Sequence, residues 1–337
     1  MATNWIFAQP AAELEAAAQA FLVNWENDLP FHIQSSGTTS LPQTFQFSKA
    51  QLVFAARASI VALDLQPDTR ALLCLPTTSV GGLMLMARSK VGNFSLVLQA
   101  PSSRPLAENT AEFDFIALVP TQLQQSLEHD LERLKKISKI LVGGGELSPS
   151  LKLACQSAGL NVWQSYGMTE TLSHVALKKI SPSEDRFFKA LPGVEFSSQD
   201  SCLVISYPGL LAAPLVTKDL VDLHSSSSFT WLGRADHAIN SGGYKIIPEL
   251  LEAKLAAHID TSFFIGAIED EKWGQIVGIV IEATALPQFP DFAKLGLSTA
   301  EIPKKVALLP VFERTETQKI KRNRCLQLLK NEDWISL

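Results

Sequence analysis

The stretch Gln164-Ser165-Tyr166-Gly167-Met168-Thr169-Glu170 decides how this chain reads. A Tyr-Gly pair can turn the backbone, and a hydroxyl and a carboxylate follow side by side at 169 and 170. A hydroxyl donates to a phosphate oxygen, and a carboxylate is the hard oxygen ligand that Mg2+ prefers. Tyr166 adds a flat face on which a base can stack. The same residues also suit the capped start of a helix.

Upstream, Lys139–Val142 is apolar enough for a strand and runs into Gly143-Gly144-Gly145, which lets backbone approach a flat ring or a phosphate. A tight strand-to-helix turn is the plain alternative. Further upstream, residues 35–43 read SSGTTSLPQ, a loop whose hydroxyls and N–H groups suit phosphate oxygens. Helical spacing over 11–26, 48–64 and 121–135 alternates with apolar stretches at 29–34, 71–76, 95–99 and 115–119. That alternation predicts a mainly parallel, layered α/β domain.

Downstream, from about residue 191, short strands are expected at 194–196, 202–206, 215–223 and 229–231. Asp219 is placed to accept from sugar hydroxyls, and Arg234 to meet ribose or phosphate. A surface ion pair between Arg234 and Asp236 is the plain alternative. After Asp236 the chain reads as a smaller α/β unit, with a hairpin at 237–247 around Ser241-Gly242-Gly243, a helix at 248–258 and strands at 262–268 and 276–282. Residues 301–330 hold eight Lys or Arg against three Glu, a solvated basic face unless one lysine does chemistry.

The 337 residues are 46% hydrophobic, enough for two domains. A net charge of -5 argues against nucleic-acid binding. Four scattered cysteines have no metal or redox spacing and read as reduced thiols of a cytoplasmic protein. No basic-then-apolar leader opens the chain, and no apolar run reaches membrane-span length.

Taken in order, these segments resemble the adenylate-forming superfamily of acyl- and aryl-CoA synthetases, from about residue 34 to 324. The resemblance implies a fold like that of acetyl-CoA synthetase: a nucleotide- and acid-binding domain over 1–235 and a small mobile domain over 236–337. Relatives carry more chain before the phosphate loop, so the large domain is expected to be trimmed at its start. ATP, Mg2+, coenzyme A and a small carboxylic acid are the implied ligands, and monomer or homodimer the implied state. Ser35, Ser36, Gly37, Thr38 and Thr39 align with the pyrophosphate loop, and Gly143, Gly144 and Gly145 with the backbone along adenine. Tyr166 would flank adenine, Thr169 meet the α-phosphate and Glu170 bind Mg2+, while Asp219 and Arg234 would hold ribose. Asp236 matches the hinge, Gly242 and Gly243 the pantetheine channel, and Lys319 the lysine of adenylation.

Some positions depart from the pattern. Ser40 stands where Gly is usual, Gln43 where Lys is, and Gln318 where Gly is, and Ser79 replaces His or an aromatic. Within the superfamily, Val80-Gly81-Gly82-Leu83 leading to Arg88-Ser89, Tyr166 to Thr171, and Ile239-Asn240-Ser241-Gly242-Gly243 are similar to o-succinylbenzoate–CoA ligases of menaquinone biosynthesis. By that likeness Arg88 or Ser173 lies near a second carboxylate of the acid; a charge on a helix surface is the plain alternative for Arg88. Another acyl- or aryl-CoA ligase, or a weakly catalytic nucleotide-binding module, are the competing readings.

Overall fold

The computed structural model describes residues 4–8, 12–34, 43–107, 111–315 and 319–337. One continuous sheet of twelve strands dominates it. Six strands are parallel, in the spatial order Trp5–Phe7, Ser95–Leu98, Arg70–Leu73, Phe115–Leu118, Lys139–Val142 and Val162–Met168. The sheet continues through Ser173–Ser181, Phe188–Ala190, Ser228–Arg234, Leu215–Ser225, Cys202–Ser206 and Glu195–Gln199, all antiparallel. The expectation of a mainly parallel sheet thus holds for one half. Up to Met168, helices such as Val80–Gly92 and Pro149–Ser157 supply the crossovers that parallel neighbours need. Beyond it the links shrink to turns, and short links return a strand antiparallel.

In the parallel half, successive residues enter opposite cores. Ala71 and Leu73 join one and Leu72 the other; Phe115 and Ala117 face Ile116 and Leu118 in the same way. Both faces are therefore covered, which makes the layers the sequence predicts.

Helix Val80–Gly92 starts where Ser79 caps it: its Oγ accepts from Gly82 N at 3.1 Å and donates to Pro76 O at 2.7 Å. A Cβ on Gly82 would lie 2.2 Å from Pro76 O, so only glycine permits this entry. Every residue from Gly82 to Ser89 is buried. Arg88 is only 2% exposed, so its reading as a helix-surface charge is overturned.

A second sheet orders Tyr244–Ile246, Ile239–Ser241, Gly274–Glu282, Lys305–Leu309 and Ile335–Ser336, with Phe263–Asp270 also on Gly274–Glu282. Its cores draw only on residues from 239 onward, and those of the large sheet only on residues up to 231. The expected hairpin is present: Gly242 (φ 57°) and Gly243 (φ 86°) supply the two left-handed positions of a two-residue turn. The helix after it, Pro248–Leu255, is shorter than its sequence suggested. Among the described residues no helix is long and apolar enough to cross a membrane.

Candidate functional site

The parallel and antiparallel halves meet at the turn that closes the Tyr166–Glu170 segment. Strand Val162–Met168 runs into a 3-10 turn, Thr169–Thr171, and strand Ser173–Ser181 comes straight back. The alternative of a capped α-helix start is therefore wrong. Leu172 (φ 53°) and Ser173 (φ 127°) both take left-handed backbone, which costs on the order of 1–3 kcal/mol each. Gly167 makes the return possible, since a Cβ there would lie 2.0 Å from Ser173 O.

On one side of this turn sits a polar cluster. Tyr166 OH donates to Asp219 Oδ2 at 2.7 Å, and Trp231 Nε1 donates to Asp219 Oδ1 at 3.1 Å. Asp219 is 6% exposed and pairs across the sheet with Arg234. The Arg234 guanidinium lies 3.9 Å from Asp219 Oδ1 and grips Asp236 with two bonds, 3.0 and 2.9 Å. Burial is the largest influence and works to raise the Asp236 carboxyl, but the Arg234 bond and the positive charges around it together hold the group below its ordinary range. Burial, then the Asp219 charge and bond, push the Tyr166 phenol well above its ordinary value. Its ring packs edge-on to Phe229 at 5.0 Å and tilted against Phe188 at 5.9 Å.

The predicted neighbours come together around this cluster. The strand before Gly143-Gly144-Gly145 pairs with the Tyr166 strand, and a Cβ on Gly143 would lie 2.7 Å from Ser165 Oγ. Thr169 and Glu170 sit half-buried in the 3-10 turn, and Glu170 makes no ion pair among the described residues. Lys319 arrives from the far end of the chain. The residue is exposed, yet protein crowds its ammonium and the burial lowers its pKa; Asp219 opposes that shift and Arg234 reinforces it. Three charges widely separated in sequence thus feel one another at one place. The Gly242–Gly243 turn lies elsewhere, where a Cβ on Gly242 would meet Trp273 Cε3 at 2.6 Å. Ser35, Ser36, Gly37, Thr38 and Thr39, with Ser40 and Gln318, lie outside the described residues.

On the other side of the turn sits Arg88. Its Nη2 donates to Ser173 Oγ at 3.0 Å and lies 3.4 Å from His174 Nδ1. Among the described residues no carboxylate pairs with it, and its buried Nε has no hydrogen-bond partner. Burial alone drives its pKa down to about 10. Arg88 and Ser173, each put forward by likeness as a neighbour of the acid's second carboxylate, are in contact with one another.

Sequence reading missed two residues of this region. Trp231 lies three residues before Arg234, on the strand facing Asp219; a large aromatic with one donor beside a predicted carboxylate was the available signal. His174 lies one residue after Ser173, and its signal was a polar side chain entering a strand of buried residues.

Three comparisons bear on this geometry. The family model described as AMP-binding enzyme matches residues 5–198, over half of the chain. Curated relatives include the 2-succinylbenzoate–CoA ligase of Bacillus subtilis strain 168, 26% identical over 88% of this chain and 68% of its own. That of Geobacillus sp. strain WCH70 is 25% identical over 91% and 70%. Among solved structures, an acyl-CoA synthetase (AMP-forming)/AMP-acid ligase II-like protein from Dyadobacter fermentans is 34% identical, covers 96% of both chains and superposes with a TM-score of 0.64. The O-succinylbenzoate coenzyme A synthetase of Bacillus subtilis, in complex with ATP and magnesium ion, gives a TM-score of 0.77 at 25% identity over 87% of this chain and 69% of that one. With the family model covering most of the large sheet and a 34% identical relative matched nearly end to end, the chain belongs to the family of AMP-binding enzymes.

Proposed function

We propose that this enzyme joins a carboxylic acid to coenzyme A through an acyl-adenylate, and that the acid is o-succinylbenzoate. A carboxylate oxygen attacks the α-phosphorus of ATP, the bond to the bridging oxygen breaks, and pyrophosphate leaves. The thiol of coenzyme A then attacks the acyl carbonyl, its proton passes to solvent, and AMP departs with the C–O bond electrons. The protein's share is positioning and charge stabilisation.

The roles follow the site. Tyr166 and Gly143–Gly145 bound adenine, Asp219 and Arg234 meet ribose, and Thr169 donates to the α-phosphate. Glu170 suits Mg2+, because that ion takes one or two protein carboxylates and completes its shell with phosphates and water. Bound there, Mg2+ would neutralise phosphate charge. Lys319 stabilises the charge that develops between acid and α-phosphate; its position within reach of Asp219 and Arg234 supports that assignment. Ser35–Thr39 would hold the pyrophosphate. For the second step the unit after Asp236 would turn, withdraw Lys319 and bring Gly242 and Gly243 to the pantetheine arm.

One observation carries the choice of acid. Arg88 is a buried cation with no carboxylate partner and an unused Nε donor among the described residues. Such a charge is costly unless a ligand completes it. A dicarboxylic acid supplies one carboxylate for chemistry and a second for Arg88. A benzoate or a fatty acid leaves the cation bare. Curated relatives carrying that activity over 88–91% of this chain point the same way.

The test is a panel of acids with ATP, Mg2+ and coenzyme A, read as AMP and thioester formed. Turnover of o-succinylbenzoate well above benzoate and fatty acids is expected; the reverse order would remove the acid assignment. In the same assay Lys319→Ala should lower pyrophosphate release by about 10^2-fold or more while thioester formation from supplied acyl-adenylate stays within a few fold. Equal loss of both steps would contradict the role of Lys319.

A further inference from the structure

We infer that His174 is a positioning residue that sets acid specificity, by presenting an unprotonated Nδ1 to the Arg88 guanidinium. The inference rests on the reading of Arg88 as counter-charge to the acid. Its ground is a chain of hydrogen bonds that fixes a proton.

A guanidinium only donates. His174 Nδ1, 3.4 Å from Arg88 Nη2, must therefore accept. The imidazole proton then sits on Nε2, which donates to Ser59 Oγ at 3.1 Å. Ser173 Oγ accepts from the same Nη2 at 3.0 Å and stands 3.2 Å from Nδ1. Two protein acceptors thus hold Nη2, and Nε is left without a partner. The guanidinium plane is set before any ligand arrives, and an acid carboxylate would take donors that Ser173 and His174 leave unused.

The surroundings keep the imidazole neutral. His174 is 7% exposed, and burial, then the Arg88 charge, hold its pKa well below the ordinary histidine value. The groups that face it are Arg88, Ser173 and Ser59, none of which is a carboxylate able to stabilise an imidazolium. A protonated ring would turn a donor toward Arg88 and release the guanidinium from this orientation.

Two amide replacements separate the roles of the two nitrogens. His174→Asn puts an amide oxygen near the place of Nδ1 and gives up the Ser59 bond. His174→Gln puts an amide nitrogen near the place of Nε2 and gives up the acceptor toward Arg88. The full-length enzyme is assayed for KM of o-succinylbenzoate, KM of ATP, and kcat. His174→Gln should raise the acid KM about tenfold or more, with the ATP KM and kcat within about twofold, because a bond to a charged group is lost. His174→Asn should stay within about threefold of the parent. Equal effects of the two, or a larger effect for His174→Asn, overturn the inference, since a role in core packing alone has no reason to favour the acceptor. Should both variants fail to fold, Ser59→Ala carries the test: it removes the partner that anchors the ring through Nε2 and so aims Nδ1 at Arg88, and an unchanged acid KM overturns the inference. Arg88→Met in the same assay separates the two layers. An unchanged acid KM in Arg88→Met removes the reading of Arg88; a raised KM there, beside equal effects of the His174 variants, removes only the role of His174.

Discussion

Two arginines flank one turn, and the protein treats their charges in opposite ways. Arg234 has Asp236 in a two-bond grip and Asp219 at 3.9 Å. Burial works to lower its pKa, but the two carboxylates win and the group is held more strongly charged than usual. Among the described residues Arg88 has a serine and a histidine but no carboxylate, and burial drives it down to about 10. The first cation is balanced by the fold and suits a ligand of hydroxyls and shared charge, such as a ribose phosphate. The second is unbalanced and awaits an anion. With the proposed roles, the difference teaches where specificity would be stored: the proposed nucleotide side has its charges balanced without ligand, and the proposed acid side does not.

Removing the unbalanced charge is the sharpest way to break the comparison. Arg88→Met keeps length and apolar volume. It should cut kcat/KM for o-succinylbenzoate by about 10^2-fold, the scale of a lost charge-assisted pair, while leaving the ATP KM nearly unchanged. The same change should stabilise the free enzyme. A guanidinium that burial lowers to about 10 opposes folding by roughly 3 kcal/mol at neutral pH. An apolar replacement should stabilise the free enzyme by roughly 1–4 kcal/mol, read as a higher Tm without ligand. A lower Tm would mean the charge is balanced after all.

How this asymmetry was legible in the sequence differs between the two sides. Asp219, Arg234, Tyr166 and Lys319 belong to short polar motifs, and chemistry-bearing residues at motif spacing can be named before any fold is known. Strand Lys139–Val142 could likewise be bounded closely, because three apolar residues follow Lys139 and precede three glycines. Arg88 carried a weaker signal. From Val80 to Ala87 the helix has no polar residue, and a helix apolar all round has no solvent face to give its first charge. The return strand Ser173–Ser181 gave almost none. It begins with Ser and His, holds two lysines, and depends on left-handed backbone at Leu172 and Ser173 that those residue types do not announce. The edge strands Trp5–Phe7 and Thr44–Phe47 were too short to show a period.

The acid side should also leave a mark on stability against pH. His174 is neutral in the folded chain, with a pKa well below 6.5, while in the unfolded chain it titrates normally. Below 6.5 the unfolded state therefore binds a proton that the folded state refuses, so stability falls as pH falls. The contribution is full above the unfolded pKa and declines by about 1.4 kcal/mol per unit below it. Between pH 7 and pH 5 this one residue should account for a resolvable part of the lost stability, measured by urea unfolding. In His174→Asn that part of the slope should vanish. An unchanged slope in the variant would show that the imidazole accepts protons in the folded state and that the acid side is less closed than its burial indicates.

The smallest effect is expected where the charges are already balanced. Asp219→Asn keeps an oxygen for Trp231 Nε1, and Tyr166 OH can turn from donor to acceptor against the new amide. Arg234 loses one distant counter-charge but retains both bonds to Asp236. What disappears is one charged acceptor for the sugar hydroxyls, a difference of about 1.4 kcal/mol, or about tenfold in the ATP KM. The acid KM should hold within about twofold and the Tm within a few degrees. Isothermal titration with ATP, alongside the acid KM, reads both quantities. If Asp219→Asn raised the acid KM as much as the ATP KM, the turn at 169–171 would be transmitting strain between Asp219 and Arg88. The two arginines would then be one coupled site, and the division of labour between them would have to be abandoned.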